Sequence, residues 1–154
     1  MKIKFKKQYP DAMLPTRGSD GAAGLDLYAY INGKHKKIDI NPHSSFTFGS
    51  GLCIEIPEDH VGLLFARSGL GIKQQLAPPN CVSVIDSDYR GEMKLPLQNG
   101  GKRTQTVLHG ERIGQLLIIP CVNVEVEEAN ELSETERGAR GLGSTGKTLE
   151  DLFD

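Results

Sequence analysis

Apolar residues fall at every second position through much of this chain. Met1, Ile3 and Phe5 do so, as do Leu25 and Leu27 against Asp26 and Tyr28, Val82 with Val84, and Met93, Leu95 and Leu97. A period of two marks a strand with one buried face. Further β-type runs are SFTF from Ser45, GLCIEIP from Gly51, VGLLFA from Val61, QTVLH from Gln105, QLLIIP from Gln115 and CVNVEVE from Cys121, parted by Gly, Pro and Asp. The two alternating runs around Asp86-Ser87-Asp88-Tyr89-Arg90-Gly91 predict a β-hairpin, Val82 to Leu97, with a long charged tip. Only SGLGIKQQLA, Ser68 to Ala77, predicts a helix, with Ser68 as its N-cap and two glycines weakening it. Many short strands and one short helix predict an all-β jelly roll, a sandwich or barrel.

The period lapses from about Asn130. ELSETERGARGLGSTGKTLEDLFD is polar and Gly-rich, which predicts a β core over residues 1–136 and a flexible arm over 137–154. At 154 residues the chain can bury one core without covalent staples. Its three cysteines, Cys53, Cys81 and Cys121, form neither a disulfide framework nor a zinc spacing. A net charge of −2 offers no field for nucleic acid or an acidic membrane, and no apolar run is long enough to span one. These features lead us to expect a soluble cytoplasmic protein whose anionic ligand, if any, is small and held by locally placed cations.

Five segments are richer in Gly, Arg, Asp and Ser than strands require. Asp26 stands among apolar neighbours in GLDLYA. Arg67 and Ser68 open the predicted helix, where free N–H groups and a guanidinium suit a phosphate. Asp86, Asp88 and Tyr89 occupy the predicted hairpin tip. Arg112 and Gln115 begin a strand in ERIGQLLI. RGARGLGSTG combines four glycines, two arginines, Ser144 and Thr145, a composition that lets backbone amides close on phosphates. Singly, each has an ordinary explanation as cap, turn or surface pair. Together they describe a polyphosphate site without a Walker loop, one that needs Mg²⁺ against the triphosphate charge and a carboxylate to activate water.

In order, AAGLDLYA, ARSGLG, NCVSVIDSDYRGEMKL, RIGQL and RGARGLGSTG resemble the five motifs of the trimeric dUTPases, and the resemblance covers nearly the whole chain. It implies a jelly-roll homotrimer with active sites at subunit interfaces, hydrolysing dUTP to dUMP and pyrophosphate. Asp86 would be the general base, orienting and deprotonating the water that attacks the α-phosphorus, and Asp26 would hold Mg²⁺ through its water shell. Arg67, Ser68, Gly69, Arg112 and Gln115 would serve the phosphate chain. Asn80, Val84, Ile85 and Met93 would serve the uracil pocket, and Tyr89 would pack on the deoxyribose and exclude a 2′-hydroxyl. In the arm, Arg137, Leu142, Gly143, Ser144 and Thr145 would close over the bound nucleotide. Ser83 and Arg140 stand where the family has Gly, and Leu142 where it has an aromatic ring.

Two alternatives share the scaffold. A dCTP deaminase needs an acid after its RSS-type segment, and RSGLGIKQQ has none nearby. A non-catalytic regulatory protein gated by nucleotide would not need Asp86. Beyond the motifs, Leu149, Leu152 and Phe153 loosely resemble a peptide that docks on a replication clamp.

Overall fold

The structure, a computed structural model, describes residues 1–141; Leu142, Gly143, Ser144, Thr145 and the 148–154 segment lie outside them. Eleven strands run β1 Lys4–Lys7, β2 Thr16–Arg17, β3 Leu25–Tyr28, β4 Lys37–Ile40, β5 Ser45–Glu55, β6 His60–Ala66, β7 Leu76–Ala77, β8 Ser83–Ile85, β9 Glu92–Asn99, β10 Gln105–Leu108 and β11 Arg112–Pro120. They make a four-stranded sheet, β1-β5-β9-β7, a five-stranded sheet, β2-β3-β11-β6-β8, and the two-stranded ribbon β10-β4. Every pairing is antiparallel. This is the all-β jelly roll that the alternation predicts.

One core joins the sheets. Phe48, Leu52 and Ile54 of β5 and Met93, Leu95 and Leu97 of β9 share it with Leu27, Leu64, Ile113 and Leu116 of the larger sheet. The sheets approach closely at Gly114, where a Cβ would stand 2.8 Å from Leu95 Cδ2, so a side chain there would push them apart. Pro96 is tolerated in β9 because β7 pairs only with Gln98 and Asn99, leaving that side of Pro96 without a ladder to break.

Four expectations change here. The predicted hairpin is not one: β8 pairs with β6, whereas β9 pairs with β5 and β7. The Asp86–Gly91 turn therefore passes from one sheet to the other. The predicted helix is a single π-helical turn, Gly69–Gln74, and Ser68 makes no side-chain cap bond to it. SFTF and GLCIEIP merge into the eleven-residue β5. Finally, CVNVEVE forms no strand; β11 ends at Pro120, and Val122, Val124 and Val126 are exposed.

β5 stays one strand by means of a bulge. Gly49 opposes Lys94 and Cys53 opposes Glu92, so four steps on β5 match two on β9. Gly51 sits in the bulge at φ +68°, a conformation glycine takes without strain. The buried Ser50 hydroxyl donates to the Met93 carbonyl at 2.9 Å and accepts the Leu52 N–H at 3.2 Å. At the far end of β9, fully buried Asn99 ties three segments. Its amide donates to the Ile40 and Arg103 carbonyls at 2.9 and 2.8 Å and accepts the Gly101 N–H at 2.9 Å. The adjacent Gly100 N–H donates to the Gln75 carbonyl at 2.9 Å.

Met1–Asn123 is one compact unit and Val124–Asp154 is the other. Within the second, residues 135–140 form a local turn. Gly138 N–H donates to the Thr135 carbonyl, and the Arg137 and Arg140 Nε groups each donate to the other's carbonyl at 3.1 Å.

Candidate functional site

Asp26 is the polar centre of the five-stranded sheet. It is 7 % exposed, between core-facing Leu27 and its partner across the ladder, Gln115. A carboxylate so buried needs cations or donors about it. Arg67, just past β6, brings Nε within 3.2 Å of Oδ1, and Arg112, opening β11, brings Nη1 within 3.2 Å of Oδ2. Two guanidiniums against one carboxylate leave one positive charge unmatched.

Arg112 reaches Asp26 by an irregularity. Residues 112 and 115 are three apart and would face opposite sides of a regular strand. Between Arg112 and Gly114, however, β11 carries one extra residue against β3, so Arg112 opposes Tyr28 while Gln115 opposes Asp26. The bulge thus turns Arg112 onto the face that carries Asp26 and Gln115.

A cleft of about 540 Å³ opens on that face, lined among others by Asp26, Arg67, Ser68 and Gln115. Gly24 also lines it. A Cβ at Gly24 would stand 3.3 Å from both Cβ and Oε1 of Gln115, so glycine there keeps the amide's position free. The Ser68 hydroxyl, making no cap bond, is available to a ligand. A guanidinium, a hydroxyl and an amide with surplus positive charge can hold an anion with several oxygens. Arg67 also lines an adjoining cleft of about 450 Å³ with Gly69, Arg112 and Lys73; sequence reading did not single out Lys73.

The residues of the Asp86 turn lie elsewhere. Val84, Asp86, Ser87 and Asp88 line a third cleft, of about 590 Å³, with Glu58, Asp59, His60 and Cys121. It shares no residue with the Asp26 cleft. Ile85 and Met93 belong to the core, and Asn80 is exposed, its carbonyl accepting the Val82 N–H at 2.7 Å. The phenol end of Tyr89 occupies the space a Cβ would need at Gly91, and its hydroxyl donates to the Glu92 carbonyl at 2.9 Å. Arg90 secures the turn from the other side, Nη1 donating to the Ser87 carbonyl at 2.6 Å. Arg137 is held within the 135–140 turn described above.

Among the described residues, no three His, Cys, Asp or Glu side chains converge to cage a metal. The donor set instead suits an ion that arrives on a polyanion. Asp26 keeps lone pairs beyond the two that face the arginines, enough to accept from an ion's water shell.

Comparison with known proteins gives this arrangement its context. The sequence model of the dUTPase family matches residues 11–146. The deoxyuridine 5′-triphosphate nucleotidohydrolase of Caldanaerobacter subterraneus subsp. tengcongensis is 41% identical over 146 residues, covering 95% of this chain and 97% of that one. That of Hydrogenobaculum sp. is 40% identical over 146 residues, with 95% and 99% covered. Among solved structures, the Staphylococcus bacteriophage 80alpha dUTPase with dUPNHPP superposes with a TM-score of 0.81 at 25% identity, covering 95% of this chain and 99% of its own. The dUTPase from phage phi11 of S. aureus shares the fold at a TM-score of 0.78 and 20% identity, with 88% and 100% covered.

Proposed function

The chain belongs to the dUTPase family, and from that premise we propose that it hydrolyses dUTP to dUMP and pyrophosphate through water attack on the α-phosphorus. The observation that carries this reading is the gathering of Asp26, Arg67, Ser68 and Gln115 around one cleft with surplus positive charge. Arg67, Ser68 and Gln115 bind and align the phosphates, and Arg112 adds charge beside them. Asp86 orients a water and accepts its proton, the part of a general base. Tyr89 packs on the deoxyribose, Asn80 helps position the base, and Arg137 with the Gly-rich segment after it closes on the nucleotide.

Asp26 would hold Mg²⁺ through the ion's water shell. When bound, the ion supplies charge neutralisation for the departing pyrophosphate.

A homotrimer is part of the proposal. What agrees with it is that the phosphate-binding groups and the Asp86 turn line two clefts without a common residue, as a site shared between copies would have. In the cell such an enzyme keeps uracil out of DNA and supplies dUMP for thymidylate synthesis. Pyrophosphate release measured with dUTP, dCTP and UTP tests the reading. Release from dUTP far above the other two is expected; deamination of dCTP, or no turnover of any, would defeat it.

A further inference from the structure

Glu92, the first residue after the Asp86 turn, has no part in any motif role above. Its side chain nevertheless reaches across to β5. Oε1 accepts the Gly51 N–H at 2.7 Å, in the bulge that interrupts the β5–β9 ladder. The carboxylate lies directly over Gly49, where a Cβ would stand 2.2 Å from Oε1 and 2.9 Å from Cδ. A charge-assisted bond to a backbone N–H, seated over a glycine that leaves the space, fixes the half-buried carboxylate strongly.

The main chain of the same residue carries the second bond. Tyr89 Oη donates to the Glu92 carbonyl, and the Tyr89 N–H donates to the Asp86 carbonyl at 3.2 Å. A continuous path thus runs from the β5 bulge through Glu92 to Tyr89 and on to Asp86. Neither strand beside the turn pairs with the other, so no hairpin ladder holds it. The bulge bond does what that ladder would have done.

We infer that Glu92 is a positioning residue: its carboxylate, anchored on the Gly51 N–H, holds Tyr89 in the orientation that distinguishes deoxyribose from ribose. The inference rests on the sugar role proposed for Tyr89, so its test includes Tyr89 itself. Three variants remove parts of the path. Glu92→Ala removes the anchor. Glu92→Gln keeps an acceptor at Oε1. Gly49→Ala adds a Cβ that displaces only the flexible end of Glu92 and so evicts the carboxylate with little cost to folding.

The measurement is kcat/KM for dUTP divided by that for UTP, with thermal melting as the control for folding. Tyr89→Ala is expected to collapse the ratio. Glu92→Ala and Gly49→Ala should each lower it roughly ten- to hundred-fold, the scale expected of a small misplacement at a reacting centre. Glu92→Gln should restore most of it, and the Gly49→Ala/Glu92→Ala double variant should be no worse than either single one. If Tyr89→Ala collapses the ratio while Glu92→Ala and Gly49→Ala leave it intact, the inference is overturned. If Tyr89→Ala itself leaves the ratio intact, the sugar role of Tyr89 fails, and with it the positioning role. Amide exchange at Gly51 then still reports on the anchor: faster exchange in Glu92→Ala retains the bond as a structural tie, and unchanged exchange removes that too.

Discussion

Asp26 and Arg112 meet because β11 carries one residue too many at Ile113, which turns the arginine onto the carboxylate's face. Asp26→Asn keeps the shape but presents an N–H to one of two guanidiniums that the carboxylate had held. Stability should fall by roughly 1–3 kcal/mol, between the limits for exposed and buried pairs, because the aspartate is buried and both arginines are partly open to water. Urea denaturation gives the number, and dUTP hydrolysis should fall with it. An unchanged midpoint would mean that the pairs are incidental.

Asp86→Asn separates binding from chemistry. The amide fills the same space but cannot take a proton from water. Turnover should drop roughly 10²–10⁴-fold, the usual range for a lost general base. Titration with a non-hydrolysable dUTP analogue should show affinity nearly unchanged. Turnover close to that of the unaltered protein would assign the proton to another group.

Truncation before Arg137 tests the division of labour along the chain. Among the described residues the last strand ends at Pro120, and the core-bearing unit ends at Asn123, so melting should be unaltered. Hydrolysis of dUTP should nevertheless be severely reduced, because the segment proposed to close on the nucleotide is gone. A truncated protein that fails to fold would make the segment structural.

Tyr30 gives a prediction in pH. Its hydroxyl donates to Asp11 Oδ1 at 2.9 Å. That bond holds the Asp11 carboxyl below the ordinary aspartate value, while desolvation first, and then Asp11, push the Tyr30 hydroxyl above the ordinary tyrosine value. A lowered carboxyl favours folding above its unfolded pKa, and that contribution is lost as pH falls through the folded one. A raised phenol favours folding below its unfolded pKa, and that contribution is lost as pH rises through the folded one. The melting temperature of Tyr30→Phe should therefore lie below that of the parent across the neutral range, with the gap closing at both extremes. Phenylalanine keeps the ring packed on Tyr9 and His109, so a gap independent of pH would show that the bond to Asp11 does not account for the loss.

Most strands and much of the core were legible in the sequence because alternation reports which face is buried. β8 is the exception: Val84, paired with Val82 on the expected buried face, is exposed, and Ile85 is buried instead. Met93, Leu95 and Leu97 sit where the pattern puts them. Alternation is silent on which strand pairs with which, so the runs around Asp86 read as a hairpin although β8 and β9 belong to different sheets. It also misses bulges. Parity separates Arg112 from Gln115, and only the extra residue in β11 reunites them. CVNVEVE has the right period, yet no ladder among the described residues takes it up. Asp26, Arg67, Ser68 and Gln115 could be singled out by type, since a charge or hydroxyl in a glycine-rich break asks for a reason. Glu92 could not. A glutamate opening an amphipathic strand looks like any solvated carboxylate until the chain folds Gly49 beneath it.

Asn99 and Gly100 form the dipeptide whose side-chain amide is most readily attacked by the next backbone nitrogen, closing a succinimide that opens to aspartate or isoaspartate. In the fold, both amide groups of Asn99 are committed, and the attacking nitrogen is turned away to donate to Gln75. This perishable linkage, one of two Asn-Gly pairs in the sequence with Asn32-Gly33, is thus kept from its own chemistry for as long as the fold stays closed. Each opening of the β4–β9–β10 corner exposes it again, so deamidation at Asn99 records how much time a molecule has spent unfolded.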